Sequence, residues 1–196
     1  KIYYQSTKYL LVIGGLLFVG ININIQAVQN LLPLEYRQIV QVVGIISLGS
    51  LINVSTGVNS SIIYLSRKYK AGLLMLLLLF IVTILLNLIL IPRFGLIGAA
   101  ASNALAAILF NLAKYLFLYN RYGMQPFTKS TLYVIALMIG CFVINYFLPS
   151  LASNVLDIVY RSILIGFFYV AVIHRMRLIP ETEAFYQKYF SRLFGR

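Results

Sequence analysis

Residues 71–92 have the sequence AGLLMLLLLFIVTILLNLILIP, in which no side chain carries a charge. A bilayer core of about 30 Å needs roughly 20 apolar residues in a helix, and this stretch is long enough. It also lacks the alternation of polar and apolar residues that a membrane β-strand requires. The stretch therefore predicts a transmembrane helix.

Apolar runs of similar length lie on both sides of this helix. The chain is 61% hydrophobic and only 10% charged, whereas about a quarter of a soluble domain is charged. One run is interrupted by Arg161, whose side chain can extend to the membrane interface. We predict an all-α fold, an integral membrane helical bundle of six transmembrane helices within residues 1–173. The predicted spans are at about 9–32, 38–64, 71–92, 94–116, 130–149 and 155–174.

Basic residues are distributed unevenly between the predicted loops. If the N-terminus is inside, thirteen of the sixteen Lys and Arg residues fall in inner segments, and Arg37, Arg93 and Arg161 fall in outer ones. Because cytoplasmic loops carry an excess of Lys and Arg, both ends of the chain are predicted to be cytoplasmic. Residues 180–196 place aromatic and basic side chains at helical spacing, which predicts a cytoplasmic amphipathic tail on the inner leaflet.

Several functional classes are disfavoured by what the sequence lacks. The basic residues form short clusters instead of a continuous face, so no nucleic-acid partner is expected. The single Cys141 and the single His174 lie apart from each other and from the four acidic residues, so no metal or cofactor is expected. No outer loop is long enough for a catalytic domain, so the chain is not expected to be an enzyme. Its first residue is Lys1 with no signal-peptide pattern, and we expect the C-terminal part of a longer protein.

Uncharged polar side chains recur within the predicted spans. On the first span, Asn22, Gln26 and Gln29 are spaced by four and three residues, so they share a helix face. Amides in hydrocarbon are costly unless they are paired or hydrated. Two interpretations stay open: hydrogen bonds between helices, or a water-filled cavity among spans one to four, with spans five and six outside against lipid. The substrate-cavity candidates are Asn22, Gln26, Gln29, Asn53, Thr56, Asn87 and Asn103.

A sharp turn is predicted between the third and fourth spans, where residues 91–102 have the sequence IPRFGLIGAAAS. Pro92 lacks an amide donor and disfavours helix at the preceding residue, which predicts the end of span three. Gly95 permits a positive φ, and Arg93 is then held at the outer interface. Gly98 belongs to a row of small residues that allows helices to approach closely. Together these residues predict a short helical hairpin.

An apolar helix containing Asn87, followed by IPRFGLIGAA, resembles the C-terminal lobe of polysaccharide flippases. These belong to the multidrug, oligosaccharidyl-lipid and polysaccharide exporter superfamily, and O-antigen and lipid II flippases are similar. The resemblance implies a transporter of about 12 to 14 helices in two lobes, of which this chain is the C-terminal portion. It also implies translocation of undecaprenyl-diphosphate-linked oligosaccharide across the bacterial inner membrane by alternating access, for the synthesis of surface polysaccharide such as lipopolysaccharide.

The resemblance further implies cationic side chains that meet the diphosphate. Lys8 and Lys114, at the inner ends of spans one and four, are the nearest candidates, although snorkelling to lipid headgroups also explains both. The implied partners are the lipid bilayer, the lipid-linked oligosaccharide and polysaccharide assembly enzymes. Two alternatives stay open. One is a multidrug or cation exporter of the same superfamily, since exporters carry a similar turn. The other is a non-transport membrane enzyme subunit, which would need a large charged outer loop.

Overall fold

A computed structural model describes residues 2–176 of the chain. Within that range the regular structure is helical and contains no strand. The tail predicted at residues 180–196 lies outside the described residues. The helices are α1 (Ile2–Leu31), α2 (Ile39–Ser55), α3 (Asn59–Tyr64), α4 (Tyr69–Tyr122), α5 (Lys129–Phe147) and α6 (Asn154–Arg175), with a 3-10 turn at Leu34–Tyr36.

Most of these helices are apolar and long. Four of those in the described range are long and apolar enough to cross a membrane, namely α1 from Tyr3 onward, α4, α5 and α6. The α2 helix is also apolar but shorter. The predicted all-α class is therefore confirmed, and the long apolar helices indicate a multi-pass membrane protein.

The 54-residue α4 reverses direction within its length. Gly95 has φ 55° and ψ −127°, a conformation outside the helical region that glycine adopts readily. The Ser102 hydroxyl donates a hydrogen bond to Asn87 Oδ1, although a straight helix would separate these residues by about 22 Å. The helix therefore consists of two antiparallel arms, residues 69–94 and 96–122, that meet at Gly95.

The break in α4 lies three residues beyond Pro92, at which the sequence predicted the end of span three. Pro92 lies inside the helix. Its fixed φ is compatible with helical backbone, so it removes one hydrogen bond without reversing the chain. The reversal instead takes place at Gly95, whose positive φ a residue with a Cβ rarely adopts.

The second predicted span, residues 38–64, consists of two helices. Gly57 separates α2 from α3 with a φ of 66°. A Cβ at this position would overlap Thr7 Oγ1 of α1. The helix therefore breaks where Thr7 of α1 packs against it, and a glycine meets both the backbone and the packing requirement.

The α1 helix lies between two groups of helices. It packs on α2 on one side and on α5 and α6 on the other, and α2 packs in turn on α4. The largest apolar core fills the space among α1, α5 and α6; its buried residues are Leu11, Val12, Val19, Ile23, Val134, Leu137, Met138, Cys141, Ile165, Tyr169 and Ile173. In contrast, none of the most apolar 18-residue stretch of α4 is buried. Of the four long apolar helices in the described range, α4 thus has the least buried apolar stretch.

Candidate functional site

A polar seam, formed by Asn53, Thr56, Ser60, Asn111 and Lys114, joins α2 and α3 to the second arm of α4. Asn111 Nδ2 donates to Asn53 Oδ1 at 3.0 Å, and Asn111 Oδ1 accepts a hydrogen bond from Thr56 Oγ1 at 2.9 Å. Thr56 and Asn111 are both buried. Because Asn53 and Thr56 are three residues apart on α2, both reach the same amide. This part of the seam is therefore closed by hydrogen bonds between helices.

Lys114 lies one helical turn beyond Asn111 and is only 3% exposed. Its Nζ donates to Ser60 Oγ at 2.9 Å and lies 4.2 Å from the centroid of the Phe110 ring. An ammonium group has three N–H donors, and a ring face provides only a weak, diffuse acceptor. Lys114 therefore has more capacity to donate than these two neighbours use.

Unpaired polar atoms lie at the start of α3 and in the connection that precedes it. Ser60 Oγ donates to Asn59 Oδ1 at 3.3 Å, but the Asn59 Nδ2 is buried with no hydrogen-bond partner among the described residues. The same holds for the Thr7 hydroxyl, which faces Gly57 in the connection between α2 and α3. A buried donor without an acceptor costs roughly 1–3 kcal/mol. The end of the seam thus favours a ligand that accepts hydrogen bonds.

No carboxylate among the described residues neutralises Lys114. The acidic residues in that range are Glu35 and Asp157. Asp157 forms a 2.7 Å ion pair with Arg161, and Glu35 lies beyond the C-terminal end of α1, whereas Lys114 is near its N-terminal part. Removing an unpaired ammonium from water costs several kcal/mol. The positive charge therefore favours an anion at this position.

Two amides of α1 bond towards α2 and the connection that precedes it. Asn22 Nδ2 donates to Ser47 Oγ at 2.9 Å and to the Phe18 carbonyl at 2.8 Å. Gln29 Nε2 donates to the Arg37 carbonyl. Both amides are half-buried and hydrogen-bonded within the protein.

The remaining amide candidates lie elsewhere. Gln26 is exposed and lines a polar groove beside the connection between α5 and α6. Asn87 is paired with Ser102 inside the α4 hairpin, and Asn103 is exposed on the second arm. These three residues therefore occupy three separate places.

Among the basic and hairpin candidates, Lys8 is half-buried, with its Nζ 5.4 Å from the centroid of the Tyr9 ring. Arg93 is exposed at the turn of α4. Gly98 is buried, and a Cβ there would overlap the Leu90 carbonyl oxygen, so its lack of a side chain lets the two arms meet.

The structure thus brings Asn53, Thr56 and Lys114 together in the polar seam but does not gather the other candidates around them. Ser60 and Asn111 complete the seam and are absent from the sequence-based candidates. Their spacing carried a signal, since Asn111 precedes Lys114 by three residues on one helix and Ser60 follows Thr56 by four. No family model matches the chain, and neither a curated protein nor a solved structure matches it.

Proposed function

We propose that the chain is the C-terminal portion of a transporter that moves undecaprenyl-diphosphate-linked oligosaccharide across the bacterial inner membrane by alternating access. In this proposal α1, the α2–α3 pair, each arm of α4, α5 and α6 are six transmembrane spans. The excess of basic residues in the predicted inner loops supports a cytoplasmic position for both ends of the chain. The protein acts as a carrier and makes no covalent bond to its cargo.

Lys114 is the observation that carries the proposal. It is a buried cation with one hydroxyl acceptor at 2.9 Å and no described carboxylate beside it. A diphosphate supplies the negative charge and the acceptor oxygens that this ammonium group lacks. Asn59, next to Ser60 in the chain, carries a further buried donor that has no partner among the described residues. Under the positive-inside orientation, this site is at the cytoplasmic end, where a lipid-linked precursor is loaded.

A second feature favours the exporter alternative. A cleft of about 300 Å³ lies between α1 and α2 and is lined almost entirely by apolar side chains, including Leu17, Phe18 and Val43. Pockets of this size and composition suit small apolar molecules. A multidrug exporter would use this cleft for its cargo, and Lys114 would then be dispensable.

The test replaces Lys114 in the full-length parent protein in its host. Lys114→Met removes the charge and keeps most of the side-chain volume, and Lys129→Met is the matched control because Lys129 is exposed near the same end of the helices. Surface polysaccharide and inner-leaflet undecaprenyl-linked precursor are measured at equal membrane levels of each variant. We expect Lys114→Met to reduce surface polymer at least roughly tenfold while precursor accumulates, because a buried charge that pairs with the cargo contributes more than 1.4 kcal/mol.

Lys129→Met is expected to behave as the wild type, since an exposed cation contributes little. Normal polymer in Lys114→Met cells, together with altered sensitivity to toxic cations when the apolar cleft is filled by Val43→Phe, would reject the flippase in favour of the exporter.

A further inference from the structure

A second polar site lies at the other end of α1 from Lys114. There the last turns of α1 face the connection between α5 and α6, and the two sides enclose a groove of about 320 Å³. Five neutral polar side chains line this surface, which we call the amide groove; they are Gln26, Asn30, Asn145, Ser150 and Asn154. Tyr146, 84% exposed, stands at its edge.

The charges that line the amide groove are neutralised internally. Arg161 Nε donates to Asp157 Oδ2 at 2.7 Å, and its two terminal nitrogens donate to Asn145 and to the carbonyls of Leu148 and Pro149. The other Asp157 oxygen accepts from the Leu151 amide at 3.0 Å. All three nitrogens of the guanidinium thus donate hydrogen bonds within the protein. The groove therefore offers a ligand amides and hydroxyls, and no free charge from this pair.

Asn30 extends the groove towards the next connection. Its side chain also lines an adjoining groove of about 520 Å³, which Gln29, Pro33 and Arg37 share. Asn30 Nδ2 reaches Asn154 Oδ1 only at 3.4 Å, so its hydrogen-bonding capacity is largely available. The two adjoining grooves form a polar surface longer than a site for one small ring.

From this geometry we propose that the amide groove binds neutral, hydroxyl-rich carbohydrate. Each primary amide has two donors and one carbonyl acceptor, and each sugar hydroxyl can donate and accept, so rows of amides and hydroxyls match without a charge. The exposed Tyr146 adds an aromatic face against which the apolar face of a sugar ring packs. The α1 residues that line the groove, within 23–30, lie about 24–35 Å beyond the level of Thr7 along the helix axis, so the groove binds the glycan away from the Lys114 site. That this glycan belongs to the transported lipid rests on the proposed function.

The experiment measures glycan binding separately from transport. The full-length protein, in nanodiscs of phosphatidylcholine, is applied to an array of neutral bacterial oligosaccharides, with inorganic diphosphate as a soluble competitor. The test variant is Gln26→Leu with Asn30→Leu. The matched control is Gln38→Leu with Gln41→Leu, two exposed amides at the same end that do not line the groove. We expect binding to at least one oligosaccharide, weakened roughly tenfold or more by the test variant alone.

The carbohydrate site and the transport proposal fail in different ways. The Lys114→Met variant is expected to bind the oligosaccharide array as the wild type does, and diphosphate should not displace the bound oligosaccharide. The reason is that Lys114 lies at the other end of α1 from the amide groove. Absence of binding to every oligosaccharide, or an equal loss in the control variant, would overturn the groove proposal. Displacement of bound oligosaccharide by diphosphate would do the same, since it would mean an anion site. If the parent protein binds the array normally but moves no lipid-linked glycan, carbohydrate binding by the groove is supported. Only the proposal that the bound carbohydrate belongs to the transported lipid is then rejected.

Discussion

Arg161 and Lys114 are both buried cations, but they differ in how far their charge and their hydrogen-bond donors are paired. Arg161 has a carboxylate at 2.7 Å and donates to one side-chain oxygen and three carbonyls at the end of α5. Lys114 has one hydroxyl and one ring face. A fully compensated charge fixes local structure, and an uncompensated one is maintained at a cost that function explains. Arg161 therefore anchors the connection between α5 and α6, and Lys114 is the functional candidate.

Asn111 offers a test of the interpretation that the intramembrane amides form hydrogen bonds between helices. Asn111→Leu keeps the branched shape of the side chain but removes the hydrogen bonds to Asn53 and Thr56. Interhelical hydrogen bonds in membranes average somewhat below 1 kcal/mol each, so we expect a loss of about 1–2 kcal/mol in the free energy of unfolding. Titration of the purified protein with a denaturing detergent measures it. Asn103→Leu is the control, since Asn103 is exposed on the same arm, and an equal loss there would contradict the seam.

At the residue scale, sequence spacing found which side chains share a helix face but not which partners they meet. The four-residue spacing of Asp157 and Arg161 predicts their ion pair, and the structure contains it. The carbonyls of Leu148 and Pro149 that complete the arginine site lie in another part of the chain, so helical periodicity carries no signal for them. Spacing within one helix likewise did not predict the contact of Lys114 with Ser60, because that contact depends on how α3 packs on α4.

At the scale of the elements, glycines decide where the long apolar runs break. Gly57 and Gly95 both have positive φ, and each separates helices that a hydropathy pattern alone would join. The sequence predicted a turn between spans three and four from Pro92, Arg93 and Gly95, but it ended span three at Pro92, three residues before the break. It missed the break at Gly57, since the nearby Asn53 and Ser60 fit a continuous helical face and the close approach of Thr7 is a tertiary contact.

The antiparallel arms of α4 can be tested by crosslinking. In a Cys141→Ala background, Asn87→Cys with Ser102→Cys places two thiols where the hairpin brings their side chains into contact. We expect rapid disulfide formation with a mild oxidant, because the hairpin holds the two side chains in direct contact. The control pair is Asn87→Cys with Ala113→Cys, which lies about 16 Å further along the second arm. Electrophoresis after proteolysis between the cysteines measures the crosslink, and equal crosslinking of both pairs would argue against a fixed hairpin.

At the scale of the whole molecule, α1 connects two surfaces of different chemistry. Near its N-terminal end lies the buried ammonium of Lys114, and near its C-terminal end lies the neutral amide groove. The apolar core shared with α5 and α6 fills the length between them. Composition and run length predicted the all-α membrane class, because a lipid bilayer requires long apolar helices whatever their arrangement. The arrangement of α1 between α2 and the α5–α6 pair depends on side-chain packing, which apolar runs of similar composition do not specify.

Orientation provides the final prediction, because the proposed transport requires the end of the helices that carries Lys114 to face the cytoplasm. Single cysteines in a Cys141→Ala background replace Leu65, Phe94, Met124 and Ser150, all exposed. With thirteen of sixteen basic residues inside, an impermeant maleimide should label the Phe94→Cys and Ser150→Cys variants in intact spheroplasts. The Leu65→Cys and Met124→Cys variants should react only after permeabilisation. Labelling of all four from one side would mean that the arms of α4 do not cross the bilayer, and the reverse pattern would place Lys114 outside, where a diphosphate-linked precursor could not load.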